Sequence, residues 1–482
     1  PGVLAVQLSA RDPRQPALPL PLAPCPPPCR QPVARPAFPG VAAAPRLFYY
    51  TFMHHTAHPA PAWRWFNESR FGVFIQWGPA SVYGRGEQVL LREQLDQKSY
   101  AKAACRWNPK KFDPEFWAGA AREAGFRFSV FTARSPDGYC LWKTATTDYS
   151  AAAQKTPGRD LFAAYVRAFR DAGLRVGVAY SLADWRLSAF WNGPAADPGA
   201  WAAFRDYVHR QLRELLTDYG PIDLLVLGDA GPYTQEEWGV PDILAMARQL
   251  QPAMIVSYGC GDGPFAGDAA FAWPGQRLPD TGLRAAVRTP TWRHRGYARG
   301  DRWLPADLLL DQVVATAGRG GNLLLTVGPK ASGALPLTFM LRLAAVGKWL
   351  KTHGEAIYGA EEVPGDLLSV GHVTRRGRNL YLIVRFWDRR QRLVLSGLET
   401  RARRAVLLTT GQEVDFRQED GILEVTGLPR AFRSLLFPVI RIECEAAPEV
   451  CDWARESEWD ARARRLSVWA AARGIKASAD GQ

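Results

Sequence analysis

The chain has 482 residues, 47% of them hydrophobic, with 60 Lys and Arg against 47 Asp and Glu, a formal net charge of +13. That length supports a large core plus a smaller second domain, and with no apolar run of about 18 residues no membrane-spanning helix is expected. The excess Arg is scattered, with no Lys/Arg block and no nucleic-acid motif, so no nucleic-acid partner is expected.

The 18 Trp, 15 Tyr and 22 Phe suit a site for flat, amphipathic ligands, although most aromatics in any protein are core. The seven Cys are spread out except for Cys25/Cys29 and Cys444/Cys451, and they form neither a zinc-like quartet nor a dense disulfide framework. The chain starts at Pro1, which reads as a truncated N-terminus. The stretch "PALPLPLAPCPPPC" is too Pro-rich for a signal-peptide core. Compartment therefore stays open, secreted and periplasmic locations included.

In chain order, residues 1–60 are Pro/Ala-rich and read as disordered. His54, His55 and His58 close that stretch and read as a solvated linker rather than a metal site. Residues 61–360 then alternate β-type runs with amphipathic helices. The runs are "FGVFIQ" (71–76), "FRFSVFT" (126–132), "LRVGVAYS" (174–181), "IDLLVL" (222–227), "AMIVS" (253–257) and "NLLLTV" (322–327). The helices between them are punctuated: Asp113 precedes Pro114 and Gly125 follows, "GRDLFAAYVRAFRDAG" ends at Gly173, and "PDILAMARQLQP" starts on Pro241. Strands apolar on both faces and separated by helices imply a parallel sheet. Six visible units fit an α/β fold of the (β/α)8 barrel type with two units unseen. An open doubly wound sheet is the runner-up, weakened by the lack of any Gly-rich phosphate loop. Short alternating strands over 361–442 predict a C-terminal β-sandwich. Residues 443–482 predict a charged helical tail carrying Trp453, Trp459 and Trp469.

In a parallel barrel the active site lies at the C-terminal strand ends. Asp229 follows the run that ends at Leu227, so it is a candidate catalytic carboxylate, or else a cap or turn residue.

Five segments carry a resemblance: "WRWFNESRFGVFIQWGPASVYG", "WNPKKFDPEFWAGAAREAGFRFSVFTARSPDGYCLWKTATTDYS", "QLRELLTDYGPID", "GRGGNLLLTVGP" and "GKWLKTHGEAIYG". Together, from about Trp63 to Gly359, they resemble the α-L-fucosidases of glycoside hydrolase family 29. The resemblance implies a (β/α)8 barrel followed by a β-sandwich. It also implies a retaining hydrolase of terminal α-L-fucose that uses neither metal nor organic cofactor, with a fucose-containing glycan or related sugar as partner. Oligomeric state is not implied.

Such chemistry takes two carboxyl groups about 5–5.5 Å apart, one attacking the anomeric carbon and one protonating the leaving oxygen. Matched residue by residue, the family's polar chemistry is replaced here. Its His-Trp-Gly is Gln76-Trp77-Gly78, and its His-His-Asp-Gly is Ser135-Pro136-Asp137-Gly138. The nucleophile position is Gly228, the acid/base position is Gly275, an Arg position falls near Gly259, and an Asn position is Thr326. Glu87 matches a family Glu near the sugar and Tyr180 a family Tyr. The residues expected to bind sugar are Gln76, Trp77, Glu87, Trp142 and Tyr180, with Asp229 as a nucleophile shifted by one residue. Glu236, Glu237 and Asp268 are the nearby acid candidates, His294 reads as structural, and Arg85, Arg134 and Arg284 raise the idea of an anionic-ligand site.

Three readings follow. The chain is a fucosidase-like pseudoenzyme that binds glycan, an active retaining glycosidase with relocated carboxylates, or a structural protein without a sugar site. A carboxylate pair in the cup, an open cup without the pair, or a filled cup separates them.

Overall fold

A computed structural model describes residues 61–451, except 156–157, 259–266, 279–281, 364–366, 388–390 and 432–435. The expected disordered segment with its three His, the Arg position near Gly259 and residues 452–482 of the expected helical tail lie outside the described residues.

Eight parallel strands form a nearly closed barrel: β1 Phe71–Ile75, β2 Phe128–Arg134, β3 Arg175–Ser181, β4 Leu224–Gly228, β5 Ile255–Tyr258, β6 Ala269–Ala272, β7 Leu283–Arg288 and β8 Asn322–Val327. Their order is β5-β4-β3-β2-β1-β8-β7-β6. All six runs expected from sequence are strands, and β6 and β7 are the two units that sequence left unseen. β5 and β6 are clasped by one residue. The Asp268 amide donates to the Val256 carbonyl at 2.8 Å, and the Val256 amide donates to Asp268 Oδ2 at 2.7 Å. Arg248 pairs with the same carboxylate. Asp268 therefore closes the barrel and is not a free acid.

Strand periodicity splits the core in two. Phe74, Phe128, Val130, Ala179, Leu224 and Val226 face into the barrel. Val73, Ile75, Phe131, Tyr180, Leu225 and Leu227 face the surrounding helices. Gly72 leaves room for the Phe128 ring: an added Cβ would lie 2.4 Å from it. The helices form where the punctuation placed them. Pro114–Glu123 is capped by Asp113, whose carboxylate accepts from the Phe116 amide at 2.8 Å, and Leu161–Asp171 is capped the same way by Asp160. No helix among the described residues is long and apolar enough to cross a membrane.

Beyond the barrel lie two antiparallel sheets. The first orders β13-β12-β16-β10-β9 and the second β11-β15-β14, with β9 Gly371–Arg376, β10 Asn379–Val384, β11 Leu393–Ser396, β12 Ala402–Leu407, β13 Gln412–Glu413, β14 Phe416–Glu419, β15 Ile422–Val425 and β16 Val439–Cys444. Leu380, Leu382, Ile440 and Ile442 join Leu395, Leu423 and Val425 in a core between the sheets. The alternate residues Tyr381, Ile383 and Val439 belong to the core of the barrel's helical shell.

Candidate active site

Eight parallel strands bring their C-terminal ends to one mouth, and a cavity of about 320 Å³ opens there. Inward parity along β4, Leu224 then Val226 then Gly228, turns Gly228 into the cavity. A Cβ added at Gly228 would meet nothing within 4 Å, and its backbone is not left-handed. The same parity would send Asp229 away from the cavity. Instead Asp229 adopts φ 54°, in the left-handed region that Asp tolerates better than most residues. That turn of the backbone leaves Asp229 lining the same cavity as Gly228.

The wall is built from polar side chains that hold one another. Gln76 donates to Ser135 Oγ at 3.1 Å and accepts from Thr132 Oγ1 at 3.3 Å. Glu87 binds Arg295 Nε through Oε1 at 3.1 Å and the Gly296 amide through Oε2 at 2.9 Å. Arg295 also lies over the Trp273 ring, 4.9 Å from its centroid. Arg134 is fully buried at the base. It donates to Gln211 Oε1 at 2.7 Å and to the Ser181 carbonyl at 2.8 Å, and packs 4.4 Å above the Tyr180 ring.

The two cavity carboxylates are tuned in opposite directions. Burial pushes Glu87 up, but the Arg295 guanidinium and the Gly296 N–H more than reverse that, and the carboxyl sits below its usual range. Asp229 is raised, first by the surrounding protein and further by the Glu87 charge. Arg295 and a Ser181 hydrogen bond only partly offset this. The Asp229 residue is nonetheless exposed at the cavity.

Of the expected site residues, Asp229, Gln76, Glu87 and Tyr180 line the cavity. Tyr180 does so from behind: its side chain belongs to the core under the helices, with its hydroxyl committed to Gln211 Oε1 at 2.8 Å and Arg134 over its ring. Trp77 and Trp142 do not line it, which corrects that expectation. Trp77 is buried among Trp107, Phe112 and Trp117 and donates to the Lys330 carbonyl. Trp142 is fully buried and donates to Glu214 Oε2 at 3.0 Å. Both indoles are packing elements behind the strands. Gly275 sits exposed at φ 93°, while its neighbour Gln276 lines the cavity. Of the acid candidates, Glu237 is taken up in a capping box with Thr234, and Glu236 is exposed on that short helix. His294 is structural, its Nδ1 3.0 Å from Asp301 Oδ2. Arg85, Arg134 and Arg284 do not converge: Arg85 pairs with Glu93, and Arg284 pairs with Glu362.

Sequence reasoning missed Arg295, Trp273 and Gln276. The signal for Arg295 is the segment "TWRHRGY", in which it follows His294 directly. Glu87, more than two hundred residues earlier, gave no local hint of its partner.

The family model described as α-L-fucosidase matches residues 41–355. Plasma α-L-fucosidase of Rattus norvegicus is 28% identical over 62% of this chain and 71% of its own length. Tissue α-L-fucosidase of Bos taurus is 27% identical over 69% and 76% respectively. The structure of α-L-fucosidase isoenzyme 1 from Paenibacillus thiaminolyticus superposes with a TM-score of 0.72 at 31% identity, covering 80% of this chain and 99% of that one. The family match spans the barrel whose mouth holds the cavity, and on that match this chain belongs to the α-L-fucosidase family.

Proposed function

We propose that this protein is a fucoside-recognising α-L-fucosidase homologue whose hydrolytic step is impaired or lost, so that the cup binds a terminal α-L-fucosyl or related residue of a glycan. The observation that carries the reading is Gly228. It occupies the inward position at the end of β4, where the resemblance puts the family nucleophile, and faces open space. The acid/base position, Gly275, has no carboxylate either, and Pro136 offers no side-chain donor where the family has a His. Loss of general acid–base help alone removes about 10²–10⁴ in rate. An open cup with Gln76, Arg295 and Gln276 on its wall supports a ligand site over a purely structural role.

A second reading, an active retaining enzyme with Asp229 as nucleophile, is favoured by the left-handed turn that brings Asp229 to the cavity. The electrostatics favour it less. Burial and the Glu87 charge raise the Asp229 carboxyl, the direction opposite to the one that favours a standing carboxylate nucleophile. Glu87 is the ionised partner, but both its oxygens are engaged by Arg295 and Gly296.

The test measures turnover of 4-nitrophenyl α-L-fucoside and calorimetric binding of L-fucose, by the protein and by Asp229→Ala. Binding without turnover in both is the expected result. Turnover that disappears in Asp229→Ala would establish the second reading. Neither binding nor turnover, in a folded sample, would leave a scaffold without a sugar site.

A further inference from the structure

The segment between β7 and the helix Ala306–Gly318 carries one arginine into the cup and leaves three outside it. Arg293, Arg299 and Arg302 are exposed, and none has an ion-pair partner among the described residues. Elsewhere the arginines are commonly matched: Arg186 with Asp184, Arg248 with Asp268, Arg441 with Glu355. The segment's one acid, Asp301, is engaged by His294 with its side chain only 7% exposed. Beside these arginines stands Trp292, whose 64% exposure is extreme for so large an apolar ring.

This patch is pinned. Thr291 bridges Trp303, Arg85 bridges Ala298, and the Gly86 amide donates to the Tyr297 carbonyl at 3.0 Å. The Arg299 amide donates to the Gly84 carbonyl at 2.7 Å, and the Trp292 amide to the Arg302 carbonyl at 3.1 Å. The backbone that presents Trp292 is thus held by residues 302–303, and residues 296–299 by the 84–87 segment that also supplies Glu87 to the cup wall, so little ordering is left to be done on binding.

We propose that Trp292, Arg293, Arg299 and Arg302 form a second carbohydrate subsite at the cup mouth, taking an acidic sugar residue, sulfated or uronate-bearing, that adjoins the unit entering the cup. The indole offers a flat apolar face to the C–H side of a pyranose. The guanidinium forks match the oxygens of a sulfate or carboxylate in a way that a compact ammonium does not. Continuity with the cup favours a glycan over nucleic acid: the same segment supplies Arg295 to the cavity lining. The proposal rests on the carbohydrate reading of the cup.

Tryptophan fluorescence titration tests it. The probes are L-fucose, a neutral fucosyl-lactose trisaccharide, a sulfated fucose oligosaccharide, a uronate-bearing fucosylated oligosaccharide and a single-stranded oligonucleotide of equal charge. The proteins are the full chain, Trp292→Ala and the triple variant Arg293→Gln/Arg299→Gln/Arg302→Gln, all at exposed positions. At least one acidic oligosaccharide is expected to bind about tenfold more tightly than the neutral one at low salt, as three weak exposed pairs acting together allow. That advantage shrinks at high salt and disappears in the triple variant, with L-fucose affinity unchanged, and Trp292→Ala weakens every oligosaccharide but not L-fucose. Whichever acidic probe gains more identifies sulfate or carboxylate as the group read. Equal binding of neutral and acidic oligosaccharides, with L-fucose still bound, overturns the subsite and leaves the cup reading intact. An acidic preference that survives in the triple variant overturns it too, as does an oligonucleotide bound as tightly as the acidic glycan. An arginine-dependent acidic preference without L-fucose binding supports the subsite and overturns the cup reading instead.

Discussion

At the scale of single residues, two glycines that share a place in the family argument are physically unlike. Gly228 has ordinary backbone and free space where a Cβ would go. Gly228→Asp is therefore expected to change stability by less than about 0.5 kcal/mol in urea unfolding, as substitutions without a clash do. It is also expected to bring 4-nitrophenyl α-L-fucoside turnover above the level of the parent; a folded Gly228→Asp protein with no gain would detach Gly228 from the nucleophile role. Gly275 sits at φ 93°, a conformation that L side chains resist, so Gly275→Glu is expected to cost about 1 kcal/mol or more whatever space surrounds it. Asp229 gives a pH signature. Its folded carboxyl is raised, so as pH climbs the unfolded chain releases this proton first and the folded protein loses stability through the window above the ordinary carboxylate range. Asp229→Asn removes that loss. The variant is expected to gain on the parent between pH 4 and pH 7 in thermal melts, the difference fading toward lower pH, and a difference that grew on acidification would contradict the raised carboxyl.

At the scale of elements, what the sequence made legible was what local pattern encodes. β1 to β5 and β8 are runs of Val, Ile, Leu and Phe, and their helices are capped by Asp113 and Asp160. β6 and β7 escaped because "AAFA" and "LRAAVR" are short and alanine-rich, with little of the β-branched signature. They are strands because the barrel supplies neighbours, which no local window can see. In the C-terminal sheets β9 and β16 likewise take their register from β10 and β12. The site follows the same division. Asp229 is expected from its place after a strand, and Gln76, Glu87 and Tyr180 from the family resemblance, whereas Arg295 reaches the cup only by pairing with a distant Glu87, and Trp77 and Trp142 are turned away by packing that motif matching cannot weigh. The Asp268 clasp belongs here as well. Asp268→Ala removes the acceptor of the Val256 amide and the partner of Arg248 at the seam of the barrel. The expected loss is about 1–3 kcal/mol for a buried donor left unpaired, read as a lower urea midpoint with unchanged slope. A loss below about 0.5 kcal/mol would mean that water replaces the carboxylate at the seam.

At the scale of the whole molecule, the five-stranded sheet serves two cores at once, Tyr381 and Ile383 packing toward the barrel's helical shell and Leu380 and Leu382 toward the second sheet. Barrel and sheets are therefore expected to unfold together. The junction carries a titratable group that makes this testable. His353, at the end of the helix Leu337–His353, is buried, with Nδ1 3.1 Å from the Trp349 carbonyl and Nε2 3.0 Å from Thr409 Oγ1 beyond β12. Beside it Trp349 donates to the Phe437 carbonyl at 2.6 Å. Burial pushes the imidazole below its ordinary value, and the Trp349 carbonyl restores only part of the drop. The unfolded chain therefore binds a proton at His353 before the folded protein does. Stability is lost as pH falls through the ordinary histidine range, down to the lowered folded value, and does not return below it. Denaturant unfolding between pH 7.5 and pH 5, followed by near-ultraviolet and far-ultraviolet signals, should show one transition whose midpoint falls on acidification. His353→Gln keeps a donor and an acceptor but cannot titrate, so its midpoint should fall less over the same interval even if it starts lower. Two separate transitions would break the shared-core argument, and an identical acid slope in His353→Gln would place the acid-sensitive group elsewhere in the molecule.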